Sequence, residues 1–217
     1  MPTGHRHYIY LFGNQKMRFA RNIALLATTL AIFGCNNGGG SDPATPADTN
    51  SSGSSTPASS TIQVSMKTSM GDMVLELYPD KAPITVANFM QYANSGFYNN
   101  LIFHRVVKEF VVQGGGISVT GQTPATQPPI KLEVGKGLSN VRGSIAMART
   151  SALDSATSQF FINTVDNTQL DTQGGGYAVF GKVVSGLTVV DQINLVPTDS
   201  NSQPLTQVVI KSVSQIK

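Results

Sequence analysis

The feature that most constrains this chain is a change in composition at residue 60. Residues 36–60, NNGGGSDPATPADTNSSGSSTPASS, contain no aromatic and no large aliphatic side chain. Such a segment cannot bury enough apolar surface to offset the entropy lost on ordering, which predicts a disordered tether. Residues 61–217 are long enough to bury about 70% of the surface of the unfolded chain, so we expect a single core there without metal or disulfide staples.

Most of the net charge of +3 arises outside that domain. Four basic residues, Arg6, Lys16, Arg18 and Arg21, precede the tether, whereas residues 61–217 contain 11 Lys and Arg against 10 Asp and Glu. A nearly neutral domain whose basic residues form no run lacks the positive field that binds phosphates. We therefore expect no nucleic-acid partner.

A secretory signal is expected ahead of the tether. From Met17 the chain reads MRFARNIALLATTLAIFGC, in which two arginines precede the apolar run Ile23–Phe33 and a small residue precedes Cys35. That is the layout of a signal peptide, and the run is shorter than the about 20 apolar residues of a membrane-spanning helix. Cleavage is expected. Because residues 1–16 carry no apolar core, we expect translation to start at Met17, with 1–34 forming the extension and signal.

The segment Ile32-Phe33-Gly34-Cys35 resembles the lipobox of bacterial lipoproteins. The resemblance implies that the Cys35 thiol is acylated and becomes the mature N-terminus. Several acyl chains, at ~0.8 kcal/mol per CH₂, would then hold the protein on a membrane, with residues 35–60 as its tether. Asn36 replaces the aspartate associated with inner-membrane retention, which predicts an outer-membrane lipoprotein of the bacterial cell envelope. The alternative is an ordinary secretory peptide with an incidental cysteine.

The residues from 61 onward follow a pattern of short strands. Apolar residues alternate over 62–66 and 73–77, on either side of the turn-prone segment 68–71, which predicts an antiparallel hairpin. Further short strands are predicted at 102–107, 110–113, 144–148, 159–163, 178–183 and 208–213.

Two helices interrupt these strands. Asp80 and Pro83 indicate a helix start, and apolar residues at helical spacing predict helices over about 82–94 and about 187–195. Many short strands with only two helices favour a β-barrel closed at its ends by the helices.

Several sequence blocks occur in the order and at the spacing of a known family. They are Phe103-His104-Arg105-Val106-Val107, Phe110–Gly115, Ser158–Ile162 and Val179–Val183, with Phe97-Tyr98, Gly143–Arg149 and Leu170-Asp171 in addition. Over residues 61–217 the chain therefore resembles the cyclophilin-type peptidyl-prolyl cis/trans isomerases. The resemblance implies a mainly β fold, an eight-stranded antiparallel β-barrel capped by two α-helices. It also implies prolyl isomerase activity without a metal or cofactor.

Rotation about an X–Pro bond needs no nucleophile, because its barrier of ~18–20 kcal/mol comes from delocalisation of the nitrogen lone pair. As the amide twists, the nitrogen becomes basic, and a fixed donor aimed at it favours the transition state over either planar state. Arg105 is the candidate catalytic donor, since its guanidinium is permanently charged and offers a rigid fork of N–H groups. By resemblance, Gln113 is the residue that hydrogen-bonds and orients this arginine.

The resemblance also implies a substrate site. The apolar wall for the prolyl ring is made of Phe110, Val111, Phe161 and Leu170. The substrate chain is held by Gln159 and by the backbone around Ala148 and Arg149, and Tyr177 stands where many relatives have histidine. Taken alone, the apolar residues fit an ordinary core, and the two glutamines fit strand positions that face solvent.

Two residues depart from the family pattern. Gln169 stands where many relatives place tryptophan or another aromatic residue, and Val111 replaces a common methionine. Loss of the aromatic ring predicts weak cyclosporin binding. Neither departure touches the chemistry assigned to Arg105.

The remaining residues exclude several other reaction types. His104 is the only histidine after the tether, so the domain has neither a histidine-based triad nor a His/Cys metal cluster, and an acylated Cys35 excludes thiol catalysis. The favoured function is isomerisation of proline-containing unfolded or exported polypeptides. Two alternatives remain: a non-catalytic chaperone or surface adhesin that binds proline segments, and a purely structural lipoprotein.

Overall fold

A computed structural model describes residues 61–216 of the chain, so the predicted extension, signal, acylated Cys35 and tether lie outside the described residues. The described part is mainly β. Its strands are β1 (Ile62–Thr68), β2 (Gly71–Leu77), β3 (Leu101–Ile102), β4 (Arg105–Val107), β5 (Val111–Gly114), β6 (Ser144–Met147), β7 (Phe160–Asn163), β8 (Val179–Ser185) and β9 (Val209–Gln215). Its α-helices are α1 (Pro83–Asn94) and α2 (Leu187–Asn194), and two short 3-10 helices span Thr168–Asp171 and Gln173–Gly175.

All nine strands belong to one antiparallel sheet, in the order β3-β9-β1-β2-β8-β6-β7-β5-β4. The first and last strands of this order are separated along the chain by only Phe103 and His104. The three Cα–Cα steps from Ile102 to Arg105 span at most about 11 Å, so the sheet must curl until these two edge strands lie close together. The mainly β, antiparallel architecture with two α-helices is thus confirmed.

The sheet has nine strands where eight were expected, and the difference lies in one segment. The predicted strand at 102–107 divides into β3 and β4, which pair with different neighbours, β9 and β5. The break occurs at Phe103, which is fully buried. The predicted hairpin of β1 and β2 is confirmed, with Thr68 opposite Gly71 at its turn.

One large apolar core fills the space between the sheet and the helices. Phe89 of α1 lies within 6 Å of the rings of Tyr98, Phe160 and Phe180, measured between ring centroids. From the other helix, α2, Val190 is fully buried in the same core. Both helices therefore cover the sheet through their apolar faces, at the positions that the helical spacing predicted.

The N-terminus of α1 is capped from a distant loop. Pro83 begins the helix as predicted, but the N-cap position is Ala82 and no side chain caps it there, so Asp80 is not the capping residue. Instead, the carboxylate of Glu133 accepts hydrogen bonds from the backbone N–H groups of Ile84, at 3.3 Å, and Thr85, at 2.8 Å. A carboxylate at this end also interacts favourably with the helix dipole.

Within residues 61–216, none of the helices has the length and apolar character needed to cross a membrane.

Candidate active site

Three side chains, from β4, from β5 and from the residue that precedes β7, form a hydrogen-bonded chain. Arg105 and Gln113 are directly opposite each other in the β4–β5 ladder, and Arg105 Nη1 donates to Gln113 Oε1 at 3.3 Å. Gln113 Nε2 in turn donates to Gln159 Oε1 at 3.0 Å. Gln113 is only 6% exposed, so the interpretation of this residue as a solvent-facing strand position is wrong.

A glycine makes room for this chain of side chains. A Cβ at Gly116 would lie 2.5 Å from Gln159 Cδ, a distance that atoms in real structures do not reach. Any side chain at this position would displace Gln159 and with it the partner of Gln113. In the sequence, the only signal of this contact is the run Gly114–Gly116, which is equally typical of a turn.

The guanidinium of Arg105 is only partly exposed, and its surroundings shift its pKa. Burial lowers the pKa of Arg105 from its ordinary value, and the nearby Tyr177 acts in the opposite direction. Because a guanidinium is a very weak acid, Arg105 remains a cation at neutral pH. A partly desolvated cation interacts more strongly with a nearby dipole than a cation in bulk water does.

His104, next to Arg105 in the chain, is held neutral. Burial, assisted by the charge of Arg105, lowers the pKa of His104 to about 4, against hydrogen bonds with the backbone of Ile102 and the side chain of Gln159 that raise it. The histidine therefore adds no second positive charge beside Arg105 at neutral pH.

The residues expected to hold the prolyl ring form an apolar cluster of their own. Its buried members are Val111, Ala146, Ala148, Phe161, Leu170 and Val179, and its partly buried members are Phe110, Leu138 and Tyr177. This cluster is separate from the main core, so these residues are not simply part of it. Sequence reasoning missed Ala146, Leu138 and Val179, which resemble any other apolar strand or loop residue.

The apolar cluster adjoins the polar chain through the sheet register. Phe161 lies opposite Gln113 in the β5–β7 ladder and opposite Ala146 in the β6–β7 ladder. The residue after β6, Ala148, donates its N–H to the carbonyl of Gln159 at 2.9 Å. Because the Ala148 N–H is already hydrogen-bonded within the protein, a substrate would contact other backbone groups of that segment.

Arg149 and Tyr177 lie side by side, with the arginine engaged inside the protein. The Arg149 side chain donates to the carbonyls of Thr150, Gly174 and Gly176 at 2.6–3.0 Å. Its Cζ lies 4.7 Å from the centroid of the Tyr177 ring. Burial raises the pKa of Tyr177, whereas the positive charges of Arg149 and Arg105 lower it.

A buried network of asparagines joins the segments that carry the apolar cluster, and sequence reasoning missed this network. Asn163 donates to Asn140 Oδ1 at 3.1 Å and accepts from Asn167 Nδ2 at 2.9 Å. Asn167 also donates to the carbonyl of Phe110 at 2.9 Å, and Asn140 donates to Asp171 Oδ1 at 2.7 Å. The network therefore ties together the segments that carry Phe110, Leu170 and Tyr177.

Asp171 is the one carboxylate in that network. Burial alone would raise the pKa of Asp171, but hydrogen bonds from the Ser139 hydroxyl and from the backbone and side chain of Asn140 outweigh it and lower the pKa.

Gln169, two residues before Asp171, is exposed, and its amide donates to Asn167 Oδ1 at 3.4 Å. Gln169, which stands where an aromatic residue is common among the relatives, thus lies at the rim of the apolar cluster.

The arrangement places a cationic fork of N–H donors beside an apolar surface of aromatic and aliphatic side chains. Within residues 61–216, no three His, Cys, Asp or Glu side chains are grouped so that they could hold a metal ion. Such a site can bind a small apolar ring and present a charged donor to a polar atom next to it.

Comparison with known proteins identifies what this arrangement is similar to. Residues 63–215 match the profile of the cyclophilin type peptidyl-prolyl cis-trans isomerase/CLD family. The chain is 51% identical to peptidyl-prolyl cis-trans isomerase A of Dickeya dadantii, over 74% of this chain and 87% of that protein. It is 49% identical to peptidyl-prolyl cis-trans isomerase B of Escherichia coli, over 70% of this chain and 98% of that protein.

Solved structures give the same result. A cyclophilin type peptidyl-prolyl cis-trans isomerase of Cryptosporidium parvum superimposes with a TM-score of 0.64 at 28% identity, covering 73% of this chain and 99% of that one. A second structure of that protein, determined in the presence of the dipeptide Ala-Pro, gives a TM-score of 0.63 at 29% identity, covering 71% and 99%.

Proposed function

This chain belongs to the cyclophilin-type peptidyl-prolyl cis-trans isomerase family and is such an isomerase, and on that premise we propose that Arg105 is its catalytic hydrogen-bond donor. The observation that carries the proposal is the position of Arg105. Its guanidinium is held by Gln113, and Gln113 lies opposite Phe161 of the separate apolar cluster that we propose as the binding site for the prolyl ring. The prolyl nitrogen would then lie next to a fixed cation.

The reaction explains why such a donor is sufficient. The cis and trans forms of an X–Pro bond differ by only about 0.5–1 kcal/mol, but they interconvert over tens of seconds or more. When the amide is twisted, the nitrogen lone pair is no longer delocalised and can accept a hydrogen bond that neither planar state can accept equally well. A donor fixed in place therefore stabilises the transition state selectively.

The hydrogen bond from Arg105 to Gln113 supplies that fixation. An arginine side chain carries about 2 kcal/mol of rotamer entropy, which is lost before the reaction if the guanidinium is already held. Gln113 is itself held by Gln159, so the orientation of the donor depends on two further buried or partly buried groups.

The substrates we propose are proline-containing segments of unfolded, exported polypeptides. The C. parvum relative was crystallised in the presence of the dipeptide Ala-Pro, which supports a site for the dipeptide unit itself. The proposal that the clients are exported proteins depends on the leader sequence, in which Ile32-Phe33-Gly34-Cys35 resembles a lipobox.

The same leader supports a location on the outer membrane of a bacterial envelope, through lipid on Cys35. Mass spectrometry of the mature N-terminus tests this proposal independently of the activity. A diacylglyceryl group on Cys35 is expected. An unmodified Cys35, or cleavage at another residue, would contradict the anchor and leave the isomerase assignment unaffected.

The catalytic role of Arg105 is tested by a protease-coupled isomerisation assay on a proline peptide. Arg105→Ala removes the donor, and we expect the rate to fall by about 10²- to 10³-fold, as for other single transition-state donors. Arg142→Ala is the matched control, because Arg142 is exposed and forms a surface ion pair with Asp191 at 2.7 Å. Equal rates for wild type and Arg105→Ala would contradict the mechanism, and peptide binding without turnover would favour the chaperone or adhesin alternative.

A further inference from the structure

Arg149 is a buried cation that makes no ion pair within the described residues. Only 8% of its surface is exposed, and its guanidinium donates instead to the carbonyls of Gly174 and Gly176 at 2.6–3.0 Å. Burying a charge away from water is costly unless hydrogen bonds compensate for the lost hydration. A cation placed in this way therefore has a local structural task, namely to hold those two carbonyls.

The segment that Arg149 holds consists of glycines, so its backbone has unusually large conformational freedom. Gly174, Gly175 and Gly176 are consecutive, and their φ angles are +62°, +95° and +87°. Glycine loses more conformational entropy on ordering than any other residue, and three in a row would sample many arrangements without an external constraint. The two carbonyl contacts of Arg149 are such a constraint, one at each end of the triplet.

The residue that follows the triplet is Tyr177, which belongs to the apolar cluster of the site. Its ring lies 4.7 Å from the Arg149 guanidinium and meets the Phe161 ring nearly edge-on, with centroids 5.7 Å apart and an interplanar angle of 76°. Its N–H donates to the carbonyl of Leu170 at 3.0 Å. Arg149 thus contacts Tyr177 directly, through its ring, and indirectly, through the backbone that precedes it.

We propose that Arg149 is a positioning residue whose side chain fixes the Gly174–Gly176 segment and the Tyr177 ring, and so shapes one side of the proline pocket. This inference rests on the proposed function, since it takes the cluster around Phe161 as the substrate site. It differs from the role expected from sequence, in which the backbone near Arg149 holds the substrate. The side chain acts on substrate affinity, whereas Arg105 acts on the rate of the bound substrate.

An effect on substrate affinity predicts a specific change in the kinetic constants. A displaced Tyr177 removes contact with the substrate in its planar and twisted states alike, so KM should rise while kcat changes little. Loss of a desolvated cation–aromatic contact and its hydrogen bonds should raise KM about fivefold to tenfold. A defect of overall stability would instead lower the midpoint of unfolding without changing KM at temperatures where the protein remains folded.

The experiment measures isomerisation rate against peptide concentration for wild type, Arg149→Ala, Arg149→Lys and the exposed control Arg142→Ala. Arg149→Lys keeps the charge but loses the planar fork, so it should restore KM only in part. A wild-type KM for a folded Arg149→Ala, or an equal loss of kcat and kcat/KM, would overturn the inference.

A second variant tests the same segment with Arg149 intact. At Gly175 a Cβ would lie 2.4 Å from Leu153 Cδ2, and its φ of +95° strains any other residue. Gly175→Ala should therefore displace the segment and raise KM as Arg149→Ala does, and it decides the question if Arg149→Ala does not fold. A Gly175→Ala variant with wild-type KM would count against the inference.

Peptide affinity, followed by NMR titration of each protein with the same proline peptide, separates this inference from the proposed function. If wild type and Arg105→Ala isomerise the peptide equally, the proposed catalytic role fails. The Arg149 variants must still bind the peptide more weakly than wild type for the positioning role to stand.

Discussion

Arg105 and Gln113 lie directly opposite each other on β4 and β5, and the guanidinium of the first donates to the side-chain carbonyl of the second at 3.3 Å. Because β4 is the last strand in the sheet order, the arginine is positioned at a sheet edge where a substrate can approach. Gln113 is itself bonded to Gln159. The geometry of the donor therefore depends on the hydrogen-bonded side-chain amides of Gln113 and Gln159.

Replacing Gln113 should reduce catalysis through Arg105. Gln113→Leu removes the acceptor of Arg105 and the donor to Gln159, and we expect an about tenfold lower isomerisation rate, as for the loss of one orienting hydrogen bond to a charged group. The exposed Gln63→Leu in β1 is the matched control. In an Arg105→Ala background the same change should have little further effect, since the two residues act together. Fully additive losses would show that Gln113 acts independently.

Acidification should destabilise the fold through His104. The folded pKa of about 4 lies below the ordinary value of 6.5, so between these pH values the unfolded chain binds a proton that the folded chain does not. This penalty is absent above pH 6.5 and grows as the pH falls toward 4. Between pH 7.5 and pH 5, urea unfolding of wild type should lose about 1–2 kcal/mol more than that of His104→Gln. Equal losses of unfolding free energy for wild type and His104→Gln would mean that the His104 side chain is exposed to solvent.

The buried asparagine network should contribute measurably to stability. Asn163 is fully buried, and Asn163→Leu would remove the hydrogen bond that Asn140 Oδ1 accepts and one of the two that Asn167 Nδ2 donates. The expected loss is about 2–4 kcal/mol in the free energy of unfolding, because unsatisfied buried polar groups cost about 1–3 kcal/mol each. Asn94→Leu, at an exposed position of α1, should change the unfolding free energy by less than about 0.5 kcal/mol. Comparable losses for both variants would exclude a supporting role for the network.

Cyclosporin affinity should depend on residue 169. Gln169 is exposed at the rim of the apolar cluster and offers no aromatic surface. Gln169→Trp supplies a ring and an indole N–H, and we expect it to tighten cyclosporin binding by about tenfold or more, as measured by inhibition of isomerisation. Unchanged inhibition would mean that another feature limits binding of the drug.

The strands and helices could largely be predicted from the sequence, because alternating and helical spacings of apolar residues reflect which side of an element is buried. The stretch 102–107 shows the limit of that reasoning. Both halves of it contain two apolar residues, so the pattern does not reveal that the chain changes partner strands at Phe103. Pairing partners are set by contacts between distant segments, which a local pattern does not contain.

For the site, the motif resemblance selected residues that the fold brings together, including Arg105, Gln113 and Phe161. It did not predict that the Arg149 side chain is buried and donates to the carbonyls of Gly174 and Gly176. Nor did it predict the asparagine network, in which Asn140 and Asp171 bond across 31 residues. A polar side chain has the same identity whether it is solvated or buried, so its partners become visible only in three dimensions.

The most direct test of the catalytic role of Arg105 is the cis/trans exchange rate of a proline peptide bound at saturation, measured by NMR for wild type and Arg105→Lys. A lysine keeps the positive charge but lacks the rigid fork. We predict that exchange on the enzyme slows by about 100-fold or more, while peptide affinity changes by less than about threefold. Exchange within about threefold of wild type, or a loss confined to affinity, would contradict the account.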